Sequence, residues 1–330
     1  MLQQSSLTMK NVAIAGEEIE SQKSRGSNAD RIFRIVTASF AGAVLVILLI
    51  MVYEMVMQSV PSITKFHWDF LTKSSWDAVQ GEFGALPFLY GSVVSSALAI
   101  LVATPLSVGT ALFITEIAPK SVGNITASLI ELLAAIPSVI YGLWGVLVMA
   151  PWLQKTVQPW LVDHFGSTPF FSGAPYGVSM MAGVLILAIM IVPIITSISR
   201  EVLLAVPQSQ REAAIALGAT KWEMIRMAVL PYGRSGVFGG VILGLGRAIG
   251  ETMAVTMVIG NTPQISLSLL APAYTMPSVI ANEFAEATSN LHSSALMEVG
   301  LLLLIVTLII NVFARLLIWK VTKGAKGGGV

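Results

Sequence analysis

The sequence predicts an all-α integral membrane protein with six transmembrane helices. Three observations carry this reading. Apolar residues make up 55% of the 330 positions and charged residues only 11%, with a mean hydropathy of +0.79, whereas a soluble domain is about 25% charged. The charges cluster between long uncharged stretches, and those stretches have the roughly 20-residue length that crosses a bilayer as helix. Net charge is +1 and cysteine is absent. No overall basic field points to nucleic acid, and disulfides, thiolate metal sites and cysteine nucleophiles are excluded.

Residues 1–30 are polar and mixed in charge, without the periodicity that builds a core, and read as a disordered tail. The apolar run Ile35 to Met57 exceeds the core of a signal peptide and has no small-residue cleavage site behind it, so it is expected to stay as the first span. The spans fall at 35–58, 88–116, 125–151, 178–198, 237–260 and 295–319. Pro105 and Pro137 each remove a backbone donor and are expected to kink the second and third.

Flanking charge orients the bundle. Lys10, Lys23, Arg25, Arg31, Arg34, Lys120, Arg200, Arg211, Lys221, Arg226, Arg234, Arg315, Lys320, Lys323 and Lys326 fall on one side, and only Lys65, Lys73 and Lys155 on the other. By the positive-inside rule both termini, including the tail 321–330, and the 199–235 loop are cytoplasmic. The outward loops, 59–87, 152–177 and 261–294, are rich in aromatic residues suited to the membrane interface. Their histidines, His67, His164 and His292, share no metal-ligand spacing and read as solvated.

The 199–235 loop predicts a helix from Gln208 to Leu217, a stop at Gly218, and a second helix from Lys221 to Val229 with Thr220 as N-cap, ended by Leu230-Pro231. Its apolar residues, Ala213, Ala214, Ala216, Leu217, Trp222, Met224 and Ile225, need something to pack on. Glu212, Ala213 and Ala214, with Gly218 and Leu230-Pro231 at their spacing, resemble the EAA loop of type I ABC importer permeases; Ala228 departs, where that family has isoleucine. The resemblance implies a MetI-like fold and assigns ATPase coupling to Glu212, Ala213, Ala214 and Gly218. The chain has no G-x-x-x-x-G-K-[ST] loop, so it is not itself an ATPase of the P-loop kind. ATP and Mg are expected on a partner subunit, and this chain carries no cofactor or metal.

The fifth span holds Arg247 and Glu251. An arginine deep in a span costs about 2.5–3.5 kcal/mol and needs compensation. Glu251, four residues on, falls on the same face of a continuous helix. The pair reads either as a structural ion pair or as a pathway site, in which the guanidinium fork suits a tetrahedral oxyanion. Thr252 and Thr256 offer further donors if they face the same cavity. Glu131 reads as structural, close to the cytoplasmic edge.

The run Gly246 to Val255, together with Gly81 to Pro87 and Leu133 to Ser138, is similar to the PstC family of phosphate permeases from about residue 31 to 320. That similarity implies a translocation pathway for inorganic phosphate through Arg247 and Glu251, to which the reading of the span adds Thr252 as a pathway residue. It also implies a homologous permease resembling PstA, cytoplasmic ATPase subunits resembling PstB, an external phosphate-binding protein resembling PstS and a bacterial inner-membrane location, with no nucleic acid involved. Two alternatives stay open: the same machine carrying molybdate or sulfate, and an ion-coupled secondary transporter using Arg247 and Glu251 as a proton relay.

Overall fold

In a computed structural model, which describes residues 2–326, the chain divides into two units, 1–57 and 58–330. The first is the greater part of one helix, Leu2–Phe66. From residue 30 onward it is apolar on every side, with Phe40, Leu45 and Leu49 all exposed. An all-round apolar surface of this kind fits lipid, not water. The helix also runs back through the segment that reads as a disordered tail. That segment is free of proline, so no residue in it lacks the backbone donor needed to extend a helix already nucleated by the span.

Four further helices, Leu86–Ile117, Met180–Leu204, Lys221–Gly250 and Asn290–Leu316, are long and apolar enough to cross a membrane. The expected third span is not one straight helix. Lys120–Ala134 and Ser138–Phe165 meet at a 92° bend, because Pro137 holds an extended backbone (φ −59°, ψ 140°) and proline also drives the residue before it out of the helical region. Six spans are reached only if this bent pair counts as one. Pro105, by contrast, lies inside the Leu86–Leu112 helix without ending it.

Proline leaves a second mark. Four five-residue π-helical segments, Phe113–Ile117, Gly145–Met149, Leu153–Val157 and Ile225–Val229, each end two residues before a proline: Pro119, Pro151, Pro159 and Pro231. In each, an amide pairs with the carbonyl five residues back: Ala118 to Phe113, Ala150 to Gly145, Gln158 to Leu153 and Leu230 to Ile225. Widening the turn lets carbonyls reach past the missing proline N–H. This is why Leu230-Pro231 does not end the second helix of the 199–235 loop. Instead Pro231 opens the Leu230–Gly250 helix near its first turn, and the chain stays helical from Lys221 to Gly250.

The core of the second unit is built on the Met180–Leu204 helix, whose Ile186, Leu187, Ile191 and Ile195 are fully or almost fully buried. Gly240 and Gly244 of the Leu230–Gly250 helix face Ile198 and Ile195 so closely that a methyl at Gly244 would sit 2.8 Å from an Ile195 side-chain carbon. Close approach between helices is what the small-residue spacing provides.

At the end opposite the 199–235 loop a second core gathers Phe70, Phe83, Phe88, Met276 and Leu296. Trp76–Asp77 and Glu82–Phe83 form a two-residue antiparallel ribbon there, turned by Gly81 at φ +66°. A methyl at Gly84 would lie 2.3 Å from the Lys73 carbonyl oxygen, so that position admits only glycine. His292 is not solvated. It is 7% exposed, stacks on Phe83 with ring centroids 5.2 Å apart, and its Nε2 lies 3.0 Å from Glu283 Oε2. Trp76 Nε1 donates to the same oxygen at 2.8 Å. Burial pushes the Tyr274 phenol up to about 12, so it remains a neutral donor to Glu283 Oε1 at 3.4 Å. Alternating polarity in so short a ribbon gives no sequence signal.

Candidate translocation and coupling sites

Two breaks in helices meet inside the second unit. The Leu230–Gly250 helix stops at Glu251, whose backbone is extended (φ −70°, ψ 125°), and a short helix follows over Met253–Val258. That short helix packs on Ser138–Trp144, the helix just past the Pro137 bend: a methyl at Gly142 would lie 2.6 Å from Met257 Sδ and 3.0 Å from the Ala254 Cα. On the other side of the bend the Tyr141 hydroxyl donates to the Leu133 carbonyl at 2.9 Å. The residues Leu133 to Ser138 thus form a corner fastened to its own helix. Irregular backbone at membrane depth is tolerated where protein or a polar cavity surrounds it.

Arg247 sits in the last turn before this break, and its side chain is exposed. It lies within electrostatic reach of the Tyr141 phenol. Glu251 points elsewhere: it is 8% exposed, and its Oε1 accepts from the Ala254 amide at 3.4 Å. The four ion pairs among the described residues do not include Arg247 with Glu251. The expected shared helix face is lost because the helix ends between the two residues. A continuous 3.6-residue period is what would have aligned them. The Thr252 and Thr256 hydroxyls bond to the carbonyls of Gly250 (3.4 Å) and Thr252 (2.7 Å). Among the described residues the guanidinium has no ion-pair partner and is left as an uncommitted fork of donors.

The second site is the 199–235 loop. Gln208–Ala216 forms the expected short helix, and Gly218 adopts φ +86°. Side chains rarely reach that conformation, and glycine does so freely. Thr220 caps Lys221–Met224 in a reciprocal box: its Oγ accepts from the Glu223 amide at 3.4 Å, and Glu223 Oε2 accepts from the Thr220 amide at 2.8 Å. The Thr220 amide and the Thr220 hydroxyl, both donating to Glu223 Oε2, hold that carboxyl below its ordinary value.

The apolar residues of this loop do not share one face. Met224 and Ile225 are buried with Leu203, Val206 and Val229, and Ala214 packs against them. Glu212, Ala213, Ile215, Ala216, Leu217 and Trp222 point outward, Leu217 at 90% exposure. A groove of about 470 Å³ opens beside them, lined by Ala214, Leu217, Gly218, Ala219, Glu223, Met227 and Ala228. Ala228, the position that departs from the family pattern, lies on its wall, where a smaller side chain widens the groove.

Arg211 was read from the sequence only as an orienting charge. It anchors the loop. Its Nη2 lies 2.8 Å from Glu116 Oε1, with side chains 13% and 5% exposed, and it donates to the carbonyls of Leu203 (2.8 Å) and Val206. One side chain ties the 208–216 helix to the end of the Leu86–Ile117 span and to the last turn of Met180–Leu204. Their separation in sequence hid it: Glu116 is 95 residues away. Glu131 is 64% exposed, with Arg200 at 3.8 Å, as suits a solvated acid near a span end.

Residues 103–323 match the family described as binding-protein-dependent transport system inner membrane component. The chain belongs to that family. The permease is 46% identical over 296 residues to the phosphate transport system permease protein PstC of Mesorhizobium japonicum, covering 88% of this chain and 90% of the relative. It is 44% identical to the PstC protein of Haemophilus influenzae, over 89% and 95% respectively. In fold it is similar to the inward-facing MetNI methionine ABC transporter, with TM-score 0.51 and 18% identity over 74% of this chain and 95% of that one. A bacterial ABC transporter involved in import of the acidic polysaccharide alginate gives TM-score 0.51 at 15% identity, over 82% and 96%. The MetI-like fold and the multi-pass membrane character expected from the sequence hold.

Proposed function

We propose that this permease carries inorganic phosphate across the membrane as one subunit of an ATP-driven importer, with Arg247 as the cation that meets the anion. The observation that carries this reading is the uncommitted guanidinium at the paired helix breaks. The relatives named for phosphate transport support the choice of substrate. A tetrahedral oxyanion accepts two parallel N–H bonds from such a fork. Passage requires a site weak enough to release its ion, which a single exposed arginine satisfies better than a closed cage. Glu251 then acts by fixing the break beneath Arg247, and Thr252 by closing it.

Glu212, Ala213, Ala214 and Gly218 form the docking element for a separate ATPase, which supplies ATP and Mg. A homologous permease completes the pathway from the side on which Arg247 is exposed, and an external binding protein delivers the ion at the opposite end. In this reading the 199–235 end and both termini are cytoplasmic. ATP-driven movement of the docking element reaches the bundle through Arg211 and through the unbroken helix from Lys221 to Gly250, which carries Arg247 in its last turn.

Uptake of labelled phosphate by cells carrying Arg247→Gln tests the claim. Uptake is expected to fall at least about tenfold, the effect of losing a charge-assisted bond of about 1.5–3 kcal/mol, while the complex still assembles. Unchanged uptake at normal assembly overturns it. Uptake that survives ATP depletion but collapses with an uncoupler would favour a secondary transporter.

A further inference from the structure

A second arginine stands on the way from Arg247 to the 199–235 end. On the Met180–Leu204 helix, Ile198 lies against Gly240 and Val202 against Gly236, so Arg200 is level with residues 236–240 of the Leu230–Gly250 helix. Arg247 stands about 10–16 Å beyond that level along the same helix. The Leu133–Ser138 corner lies between the two. On one side Tyr141, which fastens the corner to Leu133, is within electrostatic reach of Arg247. On the other, Glu131, about half a turn before Leu133 in its helix, is the ion-pair partner of Arg200. An anion released by Arg247 has to pass this corner, where Leu132, Leu133, Ala135 and Pro137 are exposed and no residue from 132 to 137 carries a charge.

Arg200 differs from the arginine that anchors the loop. Arg211 directs all three of its nitrogens at Glu116 and two backbone carbonyls. The ion pair of Arg200 with Glu131 is 3.8 Å long, beyond hydrogen-bonding distance. Glu131 is largely exposed and the Arg200 side chain is itself 26% exposed. Such a pair is worth little, since water solvates the carboxylate in any case. The guanidinium is therefore reachable and weakly held, with a planar fork of donors that fits two oxygens of a tetrahedral anion. A loosely held cation just past an apolar rim suits exit: the anion leaves one arginine for another, and neither encloses it in a cage.

We propose that Arg200 is a second phosphate contact of the translocation route, receiving the anion at the 199–235 end after it leaves Arg247. This role rests on Arg247 as the cation that first meets the anion, and extends the route past it. Glu131 occupies the fork between passages. Phosphate competes for it through the same bidentate geometry, and the exposed carboxylate gives way at little cost. Two arginines about 10–16 Å apart along the helix axis do not grip one phosphate together, so the hold at each stays single and reversible.

The chain has no cysteine, so Arg200→Cys places a single thiol at this position for a chemical test. The assembled importer carrying it is treated with 2-aminoethyl methanethiosulfonate, which leaves a primary ammonium on the thiol, or with methyl methanethiosulfonate, which leaves a neutral methyl group. Intact mass of the chain verifies each modification, and ATP-driven phosphate uptake is measured in proteoliposomes beside wild type treated alike. Arg200→Cys is expected to lose about five- to tenfold in maximal uptake, between the worth of an exposed ion pair and that of a charge-assisted bond. The ammonium, a point charge in place of the fork, is expected to restore at least about half of the wild-type rate, and the methyl group none. Arg200→Lys should likewise exceed Arg200→Gln, and Glu131→Gln should lose less than Arg200→Gln. Wild-type uptake in Arg200→Cys, equal recovery with both reagents, or no recovery with the ammonium at full modification overturns the proposal. Equal losses in Arg200→Gln and Glu131→Gln mark a structural ion pair and also overturn it, as does failure of every Arg200 variant, Arg200→Lys included, to assemble with its partner chains. Arg247→Gln, run in parallel, separates the two claims. Unchanged uptake there refutes the first contact, whereas a loss there with none in Arg200→Cys refutes the second alone.

Discussion

Replacing Arg211 with methionine removes the charge that fastens the Gln208–Ala216 helix while keeping an unbranched apolar stem. At 2.8 Å the Coulomb attraction between guanidinium and carboxylate is about 6 kcal/mol at an effective dielectric constant of 20. Most of that offsets desolvation, since the two side chains are only 13% and 5% exposed. Removing one member of such a pair leaves Glu116 buried and unpaired, at a net loss of about 3–5 kcal/mol. The carbonyls of Leu203 and Val206 lose the Arg211 donor in the same step, though Leu203 keeps the Val206 amide. The loss is local to the 203–217 segment, so hydrogen exchange reads it best. Amides of the Gln208–Ala216 helix are expected to exchange about 10²-fold to a few times 10³-fold faster, up to the rate of an unstructured chain, at 1.36 kcal/mol per decade. Phosphate uptake should fall with it. Glu116→Gln together with Arg211→Met should lose at least about 1 kcal/mol less than the sum of the single variants, because no unpaired charge remains. Unchanged exchange in Arg211→Met, or strict additivity in the double variant, would refute the anchoring argument.

Gly142→Val is expected to cost about 1–3 kcal/mol by overpacking, since even a methyl there would meet Met257 and the backbone of Ala254; thermal unfolding of the purified chain should show it, with uptake lost because the two helix breaks separate. Gly218→Val forces a β-branched residue to φ +86° and should weaken ATPase co-purification, while Gly218→Asn, which tolerates that region better, should preserve it. Thr220→Ala should destabilise the start of the second loop helix by about 1 kcal/mol, read as faster exchange at Glu223 and Met224. The same cap carries a pH signature. Because the Glu223 carboxyl is held below its ordinary value of 4.5, its contribution is complete above that value and is lost as pH falls through the lowered native one. Protection at 221–224 that stays flat across that acid range would contradict the assignment.

Most of the fold was legible because a bilayer imposes a one-dimensional rule: an apolar run of sufficient length must be helix, as the 35–58 and 178–198 stretches show. The 199–235 loop was equally readable, since its glycine, its threonine cap and its short helix are local effects of neighbours within a few residues. The groove beside Ala228 was not, because its walls come from both helices of the loop.

What the sequence by itself determined is the membrane class, the position of most spans, the two short helices of the 199–235 loop and the isolation of Arg247 as a charge in an apolar helix. Only the tertiary structure decided that the Arg247 helix breaks at Glu251, that the break docks on a second break at Pro137, and that Glu251 is buried while Arg247 is exposed. It alone set Arg211 on Glu116, 95 residues apart, and seated His292 on Phe83. The physical reason is range. Hydropathy, capping and proline stereochemistry act within one or two turns of chain, whereas the partner of a buried charge is chosen by packing between segments distant in sequence.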